Sequence, residues 1–252
     1  LDKPHFGESK LEYKKFEELL RSEIPEIHYF PEDDSVSLDS IYCRDASIAT
    51  DKGVILCSMG KPARATEPDT QHRVYQKLGV DVLGRIQSPG TVEGGDVAWL
   101  DVKTLAVGRS ERTNAEGIRQ LKELLRPAGV KLFVVDLPHY RAPGDVFHLM
   151  SVFSPVDHDL AVVFTPLMPE PFRKELLSRG QLIEVTQNEF ESMGCNVLAI
   201  APRKCIMVKG NPATKSALEE AGCKVWEYDG KEISVKGGGG PTCLTRPLWR
   251  EV

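Results

Sequence analysis

The chain has 252 residues, of which 41% are hydrophobic and 27% charged, and its formal net charge is −5. This length fits one large domain or two small ones, with enough apolar residues for a substantial core. Acidic and basic residues are interspersed, so the sequence shows neither the basic footprint of a nucleic-acid-binding protein nor a polybasic membrane patch. Small-molecule chemistry is therefore the favoured class of function.

The cysteine spacing and the hydropathy indicate the cellular environment in which the protein works. The six cysteines are scattered along the chain: Cys43, Cys57, Cys195, Cys205, Cys223 and Cys243. No C-x-x-C pair or His/Cys cluster has zinc-ligand spacing, so we expect no metal site and free thiols in a reducing cytoplasm. No apolar run reaches about 18 residues and no basic-then-apolar leader is present, so neither a membrane span nor a signal peptide is expected. The first residue is Leu1, which leaves the native N-terminus open.

The first predicted elements in chain order are a helix over LEYKKFEELLRSE and a strand over IHYF. Next, the pattern predicts two strands within SIATDKGVILCSM, a helix over DTQHRVYQKLG and a strand over VDVLGRI. The same order follows in DVAWL and TLAVG as a hairpin, TNAEGIRQLKELLRPAG as a helix that Thr113 or Asn114 opens, and VKLFVVDL as a strand. These are two consecutive copies of a strand-strand-helix-strand unit.

Two further copies follow. From Val146, VFHLMSVFS and LAVVF are predicted to pair around PVDHD, before a helix over PEPFRKELLSRG and a strand over QLIEVT. From Cys195, the segments CNVLAIAP, KCIMVKG, NPATKSALEEAG and CKVWEYD repeat the order. The period of roughly 45 residues is typical of a repeat architecture.

The chain ends complete a fifth unit in this interpretation, because the N-terminal helix and strand can join a C-terminal strand over TCLTRPLWR. Such closure removes exposed sheet edges. The sequence therefore predicts an α/β fold, a five-bladed α/β propeller of pseudo-fivefold ββαβ units around a central channel, closed by the N- and C-terminal segments. Residues 1–252 would form this single domain. The alternative is an ordinary open α/β sheet, since alternating strands and helices are common.

A glycine run marks the first candidate nucleophile. Gly237 to Gly240 and Pro241 stand just before Cys243. Because glycine has no Cβ, this backbone can pass close to other groups. The run therefore predicts that the thiol of Cys243 lies in a sterically crowded site. The alternative is that Cys243 is a small buried hydrophobe, as lone cysteines often are.

Reactive side chains recur at the start of each predicted unit: Cys43-Arg44-Asp45, Glu93-Gly94-Gly95-Asp96, Phe147-His148-Leu149, Cys195-Asn196 and Thr242-Cys243-Leu244. If the units are equivalent, these positions converge. A thiolate needs a positive neighbour, and His148 can supply that charge and move protons. Glu93 can fix the imidazole, while Asp45 and Asp96 offer planar acceptors that match a guanidinium. The alternatives are a core histidine and acidic turn caps.

Four segments together resemble the dimethylarginine dimethylaminohydrolase branch of the guanidine-modifying (amidinotransferase, or pentein) superfamily. They are EGGD, GRSERTN, FHLMS and GGGGPTCL, and they occur in the family's order over nearly the whole chain. The resemblance implies a five-bladed propeller and a cofactor-free reaction. In that reaction a cysteine attacks a guanidinium carbon, and water hydrolyses the covalent thiouronium adduct.

The resemblance also implies a role for each matching residue. Cys243 would be the nucleophile, His148 the general acid and then base, and Glu93 the residue that orients His148. The resemblance further implies substrate contacts by Asp45 at the guanidinium, Asp39 nearby, and Arg112 with Arg64 at the α-carboxylate. Asp96 is expected as a further acceptor from the chemistry of its carboxylate alone. An arginine fork is a natural partner for a carboxylate.

Two positions depart from the family pattern. Dimethylarginine hydrolases usually carry an acidic residue where this chain has Arg44, which resembles the Arg-Asp pair of arginine deiminases. Arginine deiminases place an aspartate where this chain has Met150, and losing that acceptor argues modestly against an unmethylated guanidinium.

The leading hypothesis is a hydrolase of a guanidino or ureido amino acid, similar to dimethylarginine, that releases an amine and citrulline. An amidinotransferase, an arginine deiminase or citrulline hydrolase, and a non-enzymatic binding propeller are the alternatives. The expected partner is a small molecule rather than nucleic acid or membrane. The sequence leaves the oligomeric state open, a homo-oligomer included.

Overall fold

The computed structural model of the protein describes residues 3–140 and 146–249. In these ranges the β-strands are β1 (Ser47–Thr50), β2 (Gly53–Leu56), β3 (Val82–Arg85), β4 (Val97–Asp101), β5 (Thr104–Arg109), β6 (Lys131–Asp136), β7 (Phe153–Asp157), β8 (Leu160–Val163), β9 (Gln181–Glu184), β10 (Leu198–Ala201), β11 (Lys204–Val208) and β12 (Lys224–Tyr228).

The α-helices in the same ranges are α1 (Phe6–Glu23), α2 (Glu67–Leu78), α3 (Ala115–Leu125), α4 (Leu149–Val152), α5 (Glu170–Arg179), α6 (Gln187–Glu191) and α7 (Pro212–Glu220). Short 3-10 turns and one π-helical turn, Lys231–Lys236, connect several of them. No helix in the described part of the chain is long and apolar enough to cross a membrane.

The chain divides into two compact units. One consists of Phe30–Leu149 with Cys243–Val252, and the other of Leu1–Tyr29 with Met150–Thr242. The interpretation of residues 1–252 as one domain stays a prediction.

The first compact unit, which contains Phe30–Leu149, has two sheets of the same design. Each has three strands in chain order, β1-β2-β3 and β4-β5-β6, with an antiparallel pair followed by a parallel one. A helix precedes the third strand of each sheet because a parallel connection needs a crossover. In α3, Ile118, Leu121 and Leu125 fall on one face and are buried in an apolar core.

The other compact unit has two more sheets of this design, β7-β8-β9 and β10-β11-β12. Its helix α1 buries Phe16 and Leu20, and Phe16 packs on Tyr228 with ring centroids 4.6 Å apart. The four predicted strand-strand-helix-strand units are therefore present in the described residues, two in each compact unit.

The fifth predicted unit differs from expectation. Its helix forms as α1, but residues 27–30 and 242–249 form no strand, and Arg250 lies outside the described residues. Within the C-terminal segment, Pro247 has no N–H to donate to a sheet ladder, and Pro31 directly follows IHYF.

Two further local predictions are wrong. Residues 149–152 are helical, so the strand predicted from Val146 begins at Phe153, and β7 continues through Pro155 into the predicted turn. Helix α6 was not predicted. Thr186 caps it by accepting from Glu189 N, a local signal that a run of only five helical residues makes weak.

Asn114 caps the N-terminus of α3. Its Oδ1 accepts from Gly117 N at 2.8 Å and from Thr91 N at 3.1 Å, and its Nδ2 donates to Pro89 O at 2.8 Å. Asn114→Ala should lower the free energy of unfolding by about 1–2 kcal/mol. Asn114→Asp keeps the acceptor and should lose less. Urea unfolding measures both, and an unchanged stability of the alanine variant would contradict this account.

Candidate active site

Two short 3-10 turns carry the first site residues. Cys43–Ala46 leads into β1 and Gly94–Asp96 leads into β4, so Asp45 lies just before its strand. Gly95 permits the close approach of these segments, because a Cβ there would lie 2.3 Å from His148 Nδ1 and 2.7 Å from Asp45 Oδ1. The EGGD motif thus contains a glycine that the packing of the site requires.

Glu93 and His148 form the buried centre of the site. His148 Nε2 lies 2.8 Å from Glu93 Oε2, and the two side chains are 5% and 0% exposed. Glu93 Oε1 accepts from the backbone N–H groups of Gly60 at 3.0 Å and Lys61 at 3.2 Å. Because a carboxylate only accepts, Nε2 of His148 carries the proton, and the ring is held in one orientation.

Asp45 faces the other ring nitrogen. Its Oδ1 lies 3.8 Å from His148 Nδ1, and this buried oxygen has no hydrogen-bond partner among the described residues. Its Oδ2 accepts from Arg64 Nη1 at 2.6 Å. A buried acceptor without a donor is costly, so Oδ1 is a natural place for an N–H group of a ligand.

The surrounding charges favour a protonated imidazole. Burial disfavours the charge of His148, but the nearby carboxylates, Asp45 and then Asp96, outweigh it and raise the pKa of His148 to about 9. Burial also opposes ionisation of Glu93, but the hydrogen bond and charge of His148 lower the pKa of Glu93. At neutral pH the pair is an imidazolium beside a carboxylate.

Both carboxylate oxygens of Asp96 accept hydrogen bonds from other residues of the protein. Its Oδ1 accepts from Leu149 N at 3.0 Å and its Oδ2 from Ser110 Oγ at 2.6 Å. The side chain is fully buried, and burial raises the pKa of Asp96 to about 6. Because both oxygens already have donors, this arrangement favours a structural role over the substrate contact predicted from sequence.

The two predicted carboxylate-binding arginines are held differently. Arg64 is buried and ion-paired, with Nη1 2.6 Å from Asp45 Oδ2 and Nε 2.8 Å from Glu67 Oε1. Arg112 is also largely buried, and its Nη1 lies 3.4 Å from Glu93 Oε1. The structure therefore brings Arg64 to Asp45 and Glu67, and Arg112 to Glu93.

Asp39 lies at the more exposed edge of the site. Its Oδ2 is 2.5 Å from Lys61 Nζ, and the side chains of Lys61 and Asp39 are 42% and 37% exposed. Lys61 also binds Glu93 through its backbone N–H, so Asp39 is linked to the buried centre through one residue.

Cys243 is half-buried, and its backbone is tied to the residue beside Asp45. Its carbonyl oxygen accepts from Arg44 N at 3.2 Å, and Arg44 Nη2 donates to Thr245 Oγ1 at 3.4 Å. Arg246 Nη2 donates to the carbonyl oxygen of Arg44. Arg44, the departure from the family pattern, thus has a clear structural task in fixing the segment that carries Cys243.

Tyr42 is a site residue that the sequence did not single out. Burial raises the pKa of Tyr42, and the nearby charge of Cys243 raises it further. The carbonyl oxygen of Tyr42 also accepts from Arg64 Nη2 at 3.0 Å. In the compact unit that contains the glycine run, Gly238 has a φ of 84° and a Cβ at Gly240 would lie 2.4 Å from Asn196 Cγ, so glycine is required at both positions.

Glu67 was also missed. It follows Arg64 by three residues at the start of α2, and this spacing places the two side chains together. The pair is visible in the sequence as R-x-x-E, but Arg/Glu pairs at this spacing are common on solvent-exposed helix faces. The Arg64–Glu67 pair differs because both side chains are buried, which the sequence alone does not show.

The donor atoms of Asp45, Glu93 and His148 lie within 4.8 Å of one another, a spacing that could hold a metal ion. The raised pKa of His148 opposes this use at neutral pH, because a metal ligand must be a neutral imidazole. The expectation of no metal stays a prediction.

Comparison with known proteins identifies the family. Residues 7–250 match the family described as N,N dimethylarginine dimethylhydrolase, eukaryotic. An arginine deiminase of Listeria monocytogenes is 28% identical over 299 residues, which span 98% of this chain and 72% of the relative.

Two solved structures are similar over most of their length. The dimethylarginine dimethylaminohydrolase of Pseudomonas aeruginosa, a cysteine-to-serine mutant complexed with citrulline, has a TM-score of 0.82 at 27% identity, covering 96% of this chain and 88% of that one. The N-terminal domain of ArgZ, a cyanobacterial arginine dihydrolase bound to product, has a TM-score of 0.87 at 18% identity, covering 98% and 88%, and shows the fold alone.

The fold and the family place the protein among the α/β pentein enzymes that hydrolyse carbon–nitrogen bonds of amidines. The chain belongs to the dimethylarginine dimethylhydrolase family. This confirms the resemblance seen in the motifs and the prediction of an enzyme, and it sets aside the non-enzymatic alternative.

The charge state of His148 predicts how stability depends on pH. Its folded pKa of about 9 exceeds the ordinary value of 6.5, so the imidazolium stabilises the fold fully below 6.5, and this stabilisation is lost as pH rises through 9. The stability advantage of the unsubstituted protein over His148→Gln should therefore fall between pH 6.5 and 9.5. Urea unfolding across this range measures it, and an advantage that grows with pH would contradict the assignment.

Proposed function

We propose that the protein hydrolyses the guanidinium group of an N-methylated arginine, or a close guanidino or ureido relative, through a covalent adduct on Cys243. The products are an amine and citrulline. One observation carries the proposal: His148 is held by Glu93 at 2.8 Å while its Nδ1 faces the unpaired Oδ1 of Asp45 at 3.8 Å. His148 Nδ1, as a proton donor, and Asp45 Oδ1, as an acceptor without a hydrogen-bond partner, thus lie side by side.

In the first step, the thiolate of Cys243 attacks the guanidinium carbon, forming a C–S bond. The C–N bond to the leaving nitrogen then breaks, and that nitrogen takes the proton from Nδ1 of His148. The raised pKa of His148 supports this role, because the imidazolium is present at neutral pH. The amine leaves, and a thiouronium remains on Cys243.

In the second step, His148 is neutral at Nδ1 and accepts a proton from water. The resulting hydroxide attacks the thiouronium carbon, and the C–S bond breaks to regenerate the thiolate of Cys243. The remaining proton of the former water passes to solvent, and citrulline forms with its ureido oxygen derived from water. Throughout, Glu93 holds Nε2–H of His148, so only Nδ1 exchanges protons.

Substrate binding is proposed to rest on Asp45 and Arg112. Asp45 Oδ1 accepts one N–H of the guanidinium, which gives this buried oxygen its missing donor. Arg112, which is largely buried beside Glu93, binds the α-carboxylate through its guanidinium. Asp39, on the exposed side, accepts a hydrogen bond from the α-amino group. Asp96 supports the site by binding Leu149 N and Ser110 Oγ.

At the finer level of the fold, we propose the five-bladed α/β propeller of pseudo-fivefold units. Four sheets with the same strand order support it, as does the similarity to solved pentein structures. A cytoplasmic location, an oligomeric state and a single domain over 1–252 stay predictions.

Cys243→Ser tests the nucleophile. The variant should lose at least about 10⁴-fold in amine and citrulline release from an N-methylated arginine, because a serine hydroxyl lacks the thiolate's nucleophilicity. Cys223→Ser is the matched control, since Cys223 is a buried cysteine in the other compact unit, and it should keep the activity. Comparable turnover by Cys243→Ser would contradict the mechanism.

The acceptor in the second step separates hydrolase from amidinotransferase. Turnover in H₂¹⁸O should place one ¹⁸O in citrulline, and added glycine should leave the rate unchanged. Mass spectrometry of the products measures both. A rate that requires an amine acceptor, with transfer of the amidino group to it, would instead establish a transferase.

A further inference from the structure

Asn196 begins the fourth predicted strand-strand-helix-strand unit, two residues before β10, and has no part in the mechanism above. The starts of the other four predicted units contribute Asp45, Glu93, His148 and Cys243 to the proposed reaction. Asn196 is buried, with 6% of the residue exposed. A buried carboxamide needs hydrogen-bond partners, so the contacts of Asn196 indicate what it does.

The side-chain oxygen of Asn196 binds Thr242 at two atoms. Asn196 Oδ1 accepts from Thr242 N at 3.1 Å and from Thr242 Oγ1 at 2.8 Å. A backbone N–H only donates, so the carboxamide atom that faces it is the oxygen. Thr242 is 1% exposed. Its N–H and its hydroxyl therefore share one acceptor in a place that water hardly reaches, where losing an acceptor is costly.

The carboxamide of Asn196 also packs on the glycine run. A Cβ at Gly240 would collide with Asn196 Cγ and lie 2.5 Å from Asn196 Oδ1, so only glycine leaves room for the carboxamide. Asn196 thus contacts the chain at Gly240 and again at Thr242. Both contacts lie directly before Cys243 in the sequence.

The backbone on both sides of Asn196 is held by Ser154 of β7. Ser154 Oγ donates to Cys195 O at 2.7 Å and accepts from Val197 N at 3.1 Å. Asn196 N itself donates to Met193 O at 3.0 Å. The carboxamide therefore extends from a fixed stretch of backbone, which is what a residue needs in order to place another segment accurately.

We propose that Asn196 is a positioning residue that sets the place of the Cys243 thiol by fixing Thr242. The inference rests on the proposed function, because it takes Cys243 as the nucleophile. At Cys243 itself, the carbonyl oxygen accepts from Arg44 N at 3.2 Å. The backbone that carries the thiol is thus held both before and at Cys243. Attack on a flat guanidinium carbon needs this accuracy, because a displacement of about 1 Å can cost about a hundredfold in rate.

Asn196→Ala tests the inference, with an N-methylated arginine as substrate. The variant should lose about a hundredfold in kcat, because Thr242 is released and the thiol is displaced from the line of attack. The inhibition constant of citrulline should stay unchanged, since Asp45 and Arg112, the groups proposed to bind the amino acid, are untouched. Initial rates of citrulline release measure kcat, and competition of added citrulline with the substrate for amine release measures the inhibition constant.

Asn211→Ala is the matched control. Asn211 is another buried asparagine of the same compact unit, and its Nδ2 donates to Ser192 O at 3.0 Å and to Val208 O at 2.9 Å. Its loss should lower the thermal unfolding temperature, as the loss of Asn196 does, and should leave kcat per folded protein unchanged. The contrast separates placement of the thiol from general stability.

Thr242 provides variants on the other side of the same contact. Thr242→Ser keeps both donors and should retain most of kcat, whereas Thr242→Val loses the hydroxyl donor and should lose more, though less than Asn196→Ala. The double variant Asn196→Ala/Thr242→Val should be about as slow as Asn196→Ala alone, because the two residues act as one unit. If Asn196→Ala does not fold, the serine and valine variants still give the comparison.

The inference is overturned if kcat of folded Asn196→Ala falls no further than that of Asn211→Ala, or if Thr242→Ser and Thr242→Val have equal kcat. Weaker inhibition by citrulline at unchanged kcat would instead assign Asn196 to ligand binding, and losses that add in the double variant would show that it does not act through Thr242. If the unsubstituted protein releases no citrulline, or Cys243→Ser releases it as fast, the proposed function itself fails, which is a distinct result.

Discussion

The site depends on one buried hydrogen bond, that between His148 Nε2 and Glu93 Oε2 at 2.8 Å. Glu93 can make it only because the backbone N–H groups of Gly60 and Lys61 hold its second oxygen. The bond fixes which ring nitrogen of His148 is free, and it places that nitrogen beside Asp45. The chemistry of the site follows from this one orientation.

Buried charge is the second constraint. Four carboxylates are buried in this part of the chain, and each has a partner: Glu93 pairs with His148, Asp45 and Glu67 pair with Arg64, and Asp96 accepts from hydrogen-bond donors. Among the buried carboxylate oxygens of the described residues, only Oδ1 of Asp45 has no hydrogen-bond partner. A cluster of this kind selects for a ligand that is cationic and rich in N–H groups, as a guanidinium is.

Much of this could be predicted from the sequence because its signals are local or periodic. The strand-strand-helix-strand units follow from hydrophobic period, and the helix α3 from its period and its Asn114 cap. Repetition also suggested that Asp45, Glu93 and His148 converge, although they are up to about 100 residues apart in sequence. The motifs of the family contain two of these residues, Glu93 and His148.

The parts that sequence did not supply depend on burial and on backbone detail. Residues 27–30 and 242–249 form no strands where repetition predicted them, and in the second segment Pro247 lacks the N–H that a sheet ladder needs. The roles of Glu67 and Asp96 emerge only from knowing which of their oxygens already have partners. Sequence identifies the groups that can carry charge, whereas the structure decides which atoms remain available.

The central claim is that Cys243 carries the substrate carbon during turnover. Rapid acid quench of the enzyme with an N-methylated arginine, followed by peptide mass spectrometry, tests it directly. The account predicts a thiouronium adduct on the peptide that contains Cys243, with the mass of the substrate minus the departing amine, appearing and decaying at rates consistent with turnover. Turnover without any such adduct, or an adduct on another residue, would contradict it.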